Sequence, residues 1–158
     1  MNILFVCTGN ICRSPTGEAV LRRMADAAGL GDAVTVDSCG THAYHIGQPP
    51  DARARRAGER RGYDFSGQRA RQVAIADFDR FDLILAMDGG HFDRLRRAAP
   101  AGGGDRIRRF LDFAPGARRR DVPDPYYGGA EDYELALDLI EAGCRGIVAM
   151  LLEGRQTA

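Results

Sequence analysis

Short, continuous apolar runs alternate along the chain with longer stretches of helical period, the pattern of an α/β domain built on a parallel sheet. Ile3 to Val6 reads as a first strand buried on both faces. Ser14 then stands as a helix cap with Pro15 at the first helical position, and Val20, Leu21, Met24 and Ala28 supply the inward face before Gly29 and Gly31 end it. Val34 to Ser38 predicts a second strand, and 51–61 a polar, Arg-rich helix with little apolar face that packs lightly on the outside. Phe81 to Met87 predicts the third strand, followed by a helix around 89–98, and Arg106 to Phe113 a weaker fourth strand. Residues 114–130, rich in Pro, Gly and Arg, form a loop. Glu131 to Glu153 closes the chain as a helix, with Ile140, Cys144, Ile147 and Leu151 along one side and Glu131, Asp132 and Glu134 suited to its positive end. A loop as long as 114–130 inside a compact domain is usually functional. In doubly wound sheets, ligands bind beyond the carboxyl ends of the strands, which directs attention to the loop after strand one.

Composition narrows the function classes. At 158 residues the expected organisation is one domain spanning 1–158, with a monomer as the default. Basic and acidic residues balance at 22 each, which argues against a nucleic-acid-binding protein. Every basic residue is Arg, a composition effect from which no function is drawn. The apolar start, Met1 to Val6, is too short for a signal peptide or membrane span, so a cytoplasmic location is expected and no membrane partner. The four cysteines, Cys7, Cys12, Cys39 and Cys144, have no framework spacing and are expected to be reduced.

Residues 7–14, Cys-Thr-Gly-Asn-Ile-Cys-Arg-Ser, place a Cys and an Arg on either side of five residues, between a strand and a helix start. A phosphate dianion needs several donors on its oxygens and a nucleophile in line with phosphorus. A loop wound around the anion supplies backbone N–H groups from Thr8, Gly9, Asn10, Ile11 and Cys12, and the helix it opens adds its positive end. Gly9 and Asn10 tolerate left-handed backbone. Arg13 offers a planar fork for two phosphate oxygens. The same cradle favours the thiolate of Cys7, the nucleophilic form, and Ser14 can donate a hydrogen bond to it. A carboxylic acid fixed between Pro123 and Pro125, Asp124, can protonate a leaving group and then activate water.

The run Val6 to Pro15 resembles the signature of the low-molecular-weight protein tyrosine phosphatases, and Asp124-Pro125-Tyr126-Tyr127 resembles that family's acid loop. Asp37-Ser38, Pro50 to Arg53, Ala70 to Gln72 and Met87-Asp88 extend the resemblance along nearly the whole chain. It implies a three-layer domain with a four-stranded parallel sheet in flavodoxin-like order 2-1-3-4, helices on both faces. It further implies hydrolysis of phosphotyrosine in proteins, with Cys7 as nucleophile, Arg13 as phosphate clamp and Asp124 as general acid. Ile11, Tyr44, Tyr126 and Tyr127 would line the substrate pocket, inorganic phosphate would bind the loop, and no cofactor would be needed. Cys12 would protect Cys7 through a reversible disulfide. Gln68 stands where many members carry a His that supports the loop Asn, and its amide is expected to take over. His42, His45 and His91 have no ligand spacing and are expected at the surface, without metal. Relatives that reduce arsenate need cysteines between 40 and 143, where this chain has none. Relatives that dephosphorylate arginine typically carry Thr in place of Ile11 and lack the Tyr pair. A phosphopeptide-binding module would leave the thiol and acid unexplained, and four residues between Cys7 and Cys12 do not match dithiol redox loops.

Overall fold

The computed structural model describes residues 1–156. Strands β1 (Asn2–Cys7), β2 (Thr35–Gly40), β3 (Leu83–Ala86) and β4 (Ile107–Arg109) form one parallel sheet in the order β2-β1-β3-β4. Alternate residues of β1 feed two separate cores. Ile3, Phe5 and Cys7 face helices α1 (Arg13–Ala27), α2 (Ala52–Arg60) and α5 (Ala130–Gln156), while Leu4 and Val6 face α3 (Asp77–Arg80) and α4 (Gly89–Ala98). Both faces of the sheet are therefore covered, which is why its central strands β1 and β3 are apolar without alternation. Gly17 lets α1 lie close over β1, since a Cβ there would meet Phe5 Cδ1 at 2.5 Å.

Several boundaries differ from the sequence reading. The expected strand at 106–113 stops at Arg109, and Phe110–Phe113 forms a 3-10 turn that brings Phe110 edge-on to Phe5, centroids 5.4 Å apart. Strand β2 runs on to Gly40. Helix α2 is more than lightly attached: Ala54 and Ala57 are buried in the core, and Arg61 just beyond it pairs with Glu134, Asp138 and Glu141 of α5. Ser14 is not the cap of α1. The helix begins at Arg13, with Cys12 in the cap position and no side-chain cap, and Pro15 sits in the first turn, where a missing N–H has no effect on the ladder.

The chain order changes direction between β1 and β3, and the crevice beyond their carboxyl ends lies at this switch point. Cys7 ends β1 and Asp88 follows β3. Among the described residues, no helix is long and apolar enough to cross a membrane.

Candidate active site

Residues 8–12 wind from β1 into α1, and the carbonyls of Cys7, Thr8 and Ile11 are taken up by the surrounding protein. Thr41 N–H donates to Cys7 O (2.8 Å), His42 N–H to Thr8 O (3.0 Å) and Asp51 N–H to Ile11 O (2.8 Å). Gly40 permits this approach, because a Cβ there would meet Thr8 O at 2.6 Å. Among the described residues, none of the backbone N–H groups of Thr8, Gly9, Asn10, Ile11 or Cys12 donates to a protein acceptor. Buried or half-buried N–H groups are rarely left so, and a run of them is the property of an anion cradle.

The loop's shape is held by Asn10, whose φ of 56° is the left-handed conformation expected for it; Gly9, expected to share it, is not among the positive-φ residues. Gly9 instead makes room for His45, whose Cδ2 a Cβ would meet at 2.7 Å. Asn10 Nδ2 donates to Ser14 Oγ (2.8 Å) and Ser38 Oγ (3.0 Å), and its Oδ1 accepts from Arg71 N–H (3.0 Å). Gln68 does not support Asn10 as expected: its Nε2 donates to Pro15 O at 2.9 Å, so it braces α1, and its buried Oε1 has no partner among the described residues. Asn10→Ala removes three hydrogen bonds and leaves a residue ill suited to positive φ. It is expected to lower stability by about 3 kcal/mol, read by urea denaturation.

Ser14 Oγ lies 3.0 Å from Cys7 Sγ and 3.2 Å from Cys39 O. With one proton, the hydroxyl can serve the carbonyl when Cys7 is a thiol and the sulfur when it is a thiolate. Cys12 differs: burial foremost, then Asp51, pushes its thiol up to about 12, and its Sγ is 3.8 Å from Tyr133 Oη.

Arg13 is 4% exposed. Its Nη1 donates to Asp88 Oδ2 (2.9 Å) and Val122 O (3.0 Å), which uses both N–H groups of that nitrogen. Nη2 reaches Thr8 Oγ1 at 3.5 Å, and Nε has no protein partner among the described residues, so the Nε–Nη2 edge is open to a bidentate anion. Burial would raise the Asp88 carboxyl, but His91 and Arg13 outweigh it and hold it below the ordinary range.

His91, expected at the surface, is 5% exposed and forms part of this assembly. Its Nε2 is 2.8 Å from Thr8 Oγ1. Arg13 Nη2 reaches the same oxygen at 3.5 Å, and the ring tautomer sets which of Thr8 and His91 donates. Nδ1 lies 3.1 Å from Asp88 Oδ1 but out of line for a hydrogen bond. Burial, then the Arg13 charge, brings His91 down to about 4. Unfolded, His91 takes a proton as the pH falls through about 6.5; folded, it resists until about 4. Its contribution to stability is therefore intact above 6.5 and lost as pH falls through that window, by about 3 kcal/mol in total. Urea midpoints measured from pH 7 to 4 are expected to fall less steeply for His91→Asn than for the wild type.

Asp124 is carried by a loop anchored at the buried Val122, whose N–H donates to Met87 O (2.9 Å) and whose carbonyl accepts from Arg13. Asp124 Oδ2 is 3.6 Å from Arg13 Nη2, and its Oδ1 accepts from Tyr126 N–H at 3.1 Å. Above the loop opens a cavity of about 390 Å³ lined by Cys7, Ile11, Arg13, Asp124, Tyr126 and Tyr127, with Tyr44 and His45 at its rim. Asn10 and Ser14 stand behind it as support. Arg53 lies over the Tyr126 ring, 5.3 Å from its centroid, and steadies that wall, whereas Tyr127 is 94% exposed. Tyr44, 69% exposed, stacks on His42 at 4.9 Å. The sequence reading quoted Met87-Asp88 as part of the resemblance but gave Asp88 no role, although it stands directly after the third strand, and it did not place His91 or His45 in the site.

Residues 2–157 match the family model for low molecular weight phosphotyrosine protein phosphatase. The low molecular weight protein-tyrosine-phosphatase YfkJ of Bacillus subtilis is 40% identical over 156 residues, covering 99% of each chain. A protein tyrosine phosphatase of Entamoeba histolytica, solved with Hepes in its active site, superposes with a TM-score of 0.94 at 39% identity, over 98% of this chain and 99% of that one. YwlE arginine phosphatase, solved with a phosphorylated active-site serine, is more distant: TM-score 0.88 at 27% identity over the full length of both. With its sheet order, its Cys-to-Arg loop and matches along its whole length, this chain belongs to the low molecular weight protein tyrosine phosphatases, a family of cysteine-based enzymes.

Proposed function

We propose that residues 1–158 act as one monomeric, cytoplasmic catalytic domain that hydrolyses phosphotyrosine in proteins through a phosphocysteine on Cys7. The observation that carries this reading is the loop of unpartnered N–H groups around Cys7, closed by the open edge of Arg13 and faced by Asp124. The Cys7 thiolate attacks phosphorus and the bond to the tyrosine oxygen breaks, while the Asp124 carboxyl gives that oxygen its proton. Water then attacks the phosphocysteine, Asp124 takes a proton from it, and phosphate leaves with the thiolate restored. Loop N–H groups and Arg13 stabilise the charge on the transferring oxygens throughout.

Tyr126 and Tyr127 supply flat walls for a phenyl ring and Ile11 an apolar contact, which favours phosphotyrosine over phosphoarginine. Cys7 and Cys12 both line the cavity, and a reversible disulfide would form between them by condensation of a Cys7 sulfenic acid with the Cys12 thiol, releasing water. The test is phosphate release from matched phosphotyrosine, phosphoserine and phosphoarginine peptides without added metal. Preference for phosphotyrosine is expected; preference for phosphoarginine would replace this reading.

A further inference from the structure

Asp124 and Arg13 line two clefts. One is the cavity over Cys7; the other, of about 590 Å³, lies on the far side of the acid loop. From the exposed run Arg118-Arg119-Arg120, Arg119 and Arg120 line this second cleft. The carboxylates there are already engaged. Asp88 is held by Arg13 at 2.9 Å, Asp121 accepts from Arg109 Nη1 at 3.2 Å and from Gly89 N–H at 3.0 Å, and Asp124 lies 3.6 Å from Arg13 Nη2 and accepts from Tyr126 N–H at 3.1 Å. Among the described residues, Arg119 and Arg120 have no ion pair and no hydrogen bond. Their charges repel one another in the free protein, and an anion in the cleft would relieve that while meeting two guanidinium forks.

We propose that this second cleft is a subsite for acidic side chains flanking the phosphotyrosine of a protein substrate, a reading that rests on the phosphotyrosine activity proposed above. Reach agrees with this. Arg120 is four residues from Asp124, no more than about 14 Å of extended chain, so an Asp or Glu within about four residues of the phosphotyrosine spans the same distance. The common wall at Asp124 would let the phosphorylated ring enter one cleft while the neighbouring residues cross into the other. The interaction is exposed and therefore salt-sensitive, with a screening length falling from about 10 Å at 0.1 M to about 3 Å at 1 M.

The experiment compares kcat/KM for two phosphotyrosine peptides that differ only in flanking Asp and Glu against Asn and Gln. The acidic-to-neutral ratio is taken within each enzyme, so differences in basal activity cancel, and p-nitrophenyl phosphate serves as a small reference substrate. At low salt the wild type is expected to favour the acidic peptide by about 3- to 10-fold, chiefly in KM. The ratio should fall to about one in R119Q/R120Q and invert in R119E/R120E, while R56Q/R60Q on α2 keeps it. A wild-type ratio of one, a ratio that survives R119E/R120E, or one abolished instead by R56Q/R60Q would overturn the proposal. Hydrolysis of p-nitrophenyl phosphate without turnover of either peptide would refute the phosphotyrosine reading, and this inference with it.

Discussion

Exchange of Cys7 for Ser is expected to lower turnover of a phosphotyrosine peptide by about 10⁴-fold or more while inorganic phosphate still binds the loop. The two effects separate because different atoms carry them. Binding draws on the N–H groups of residues 8–12 and on the Nε–Nη2 edge of Arg13, none of which the substitution touches. Attack on phosphorus draws on the sulfur, and the side chain in hydrogen-bond contact with it is the Ser14 hydroxyl at 3.0 Å, which is no base for a serine. Steady-state kinetics with titration calorimetry of phosphate would check both halves. Parallel loss of binding and turnover would mean that the sulfur holds the loop's shape rather than performing the chemistry.

Replacement of Asp124 by Ala should reduce kcat/KM for phosphotyrosine by about 10²- to 10³-fold, and by clearly less for p-nitrophenyl phosphate. Tyrosine departs as a phenol with a pKa of about 10 and needs a proton in the transition state; p-nitrophenol is far more acidic and needs it less. The loop should survive, because it is anchored by Val122 and, among the described residues, the Asp124 carboxylate pairs with Arg13 and the Tyr126 N–H alone. Since kcat/KM covers the steps through departure of the phenol, a loss equal for both substrates would argue that Asp124 positions Arg13 rather than supplying the proton.

The part of this site legible in the sequence is the part made from contiguous residues. Ile3 to Val6 declares a buried strand, and the Cys-to-Arg spacing that follows can be placed at its end without any structure. Asp124 lies in a long loop between two prolines, but it was singled out only by pairing it with the Cys7 loop through the resemblance of Asp124-Pro125-Tyr126-Tyr127 to the family's acid loop. What periodicity could not show is the placement of groups from distant segments. His91 lies one turn before the buried Leu95 on α4, but its neighbour Thr8 is 83 residues away, so its place in the site could not be read locally. Gln68 looked like a substitute for a loop support, yet the backbone N–H of Arg71 reaches Asn10 instead and frees the amide to hold Pro15. The apolar run at Phe110–Phe113 had strand composition, but Phe110 must turn inward to meet Phe5, and that tertiary demand overrode local propensity.

The central claim is that phosphate passes through a covalent bond to one particular sulfur. Wild-type protein mixed with a phosphotyrosine peptide, quenched in acid before the first turnover is complete and mapped by mass spectrometry, tests it most directly. The account requires one phosphoryl group on the peptide that contains Cys7, assigned by fragmentation to that residue and absent from Cys7→Ala. Release of phosphate with no adduct at any time point, or an adduct on Cys12, would contradict it.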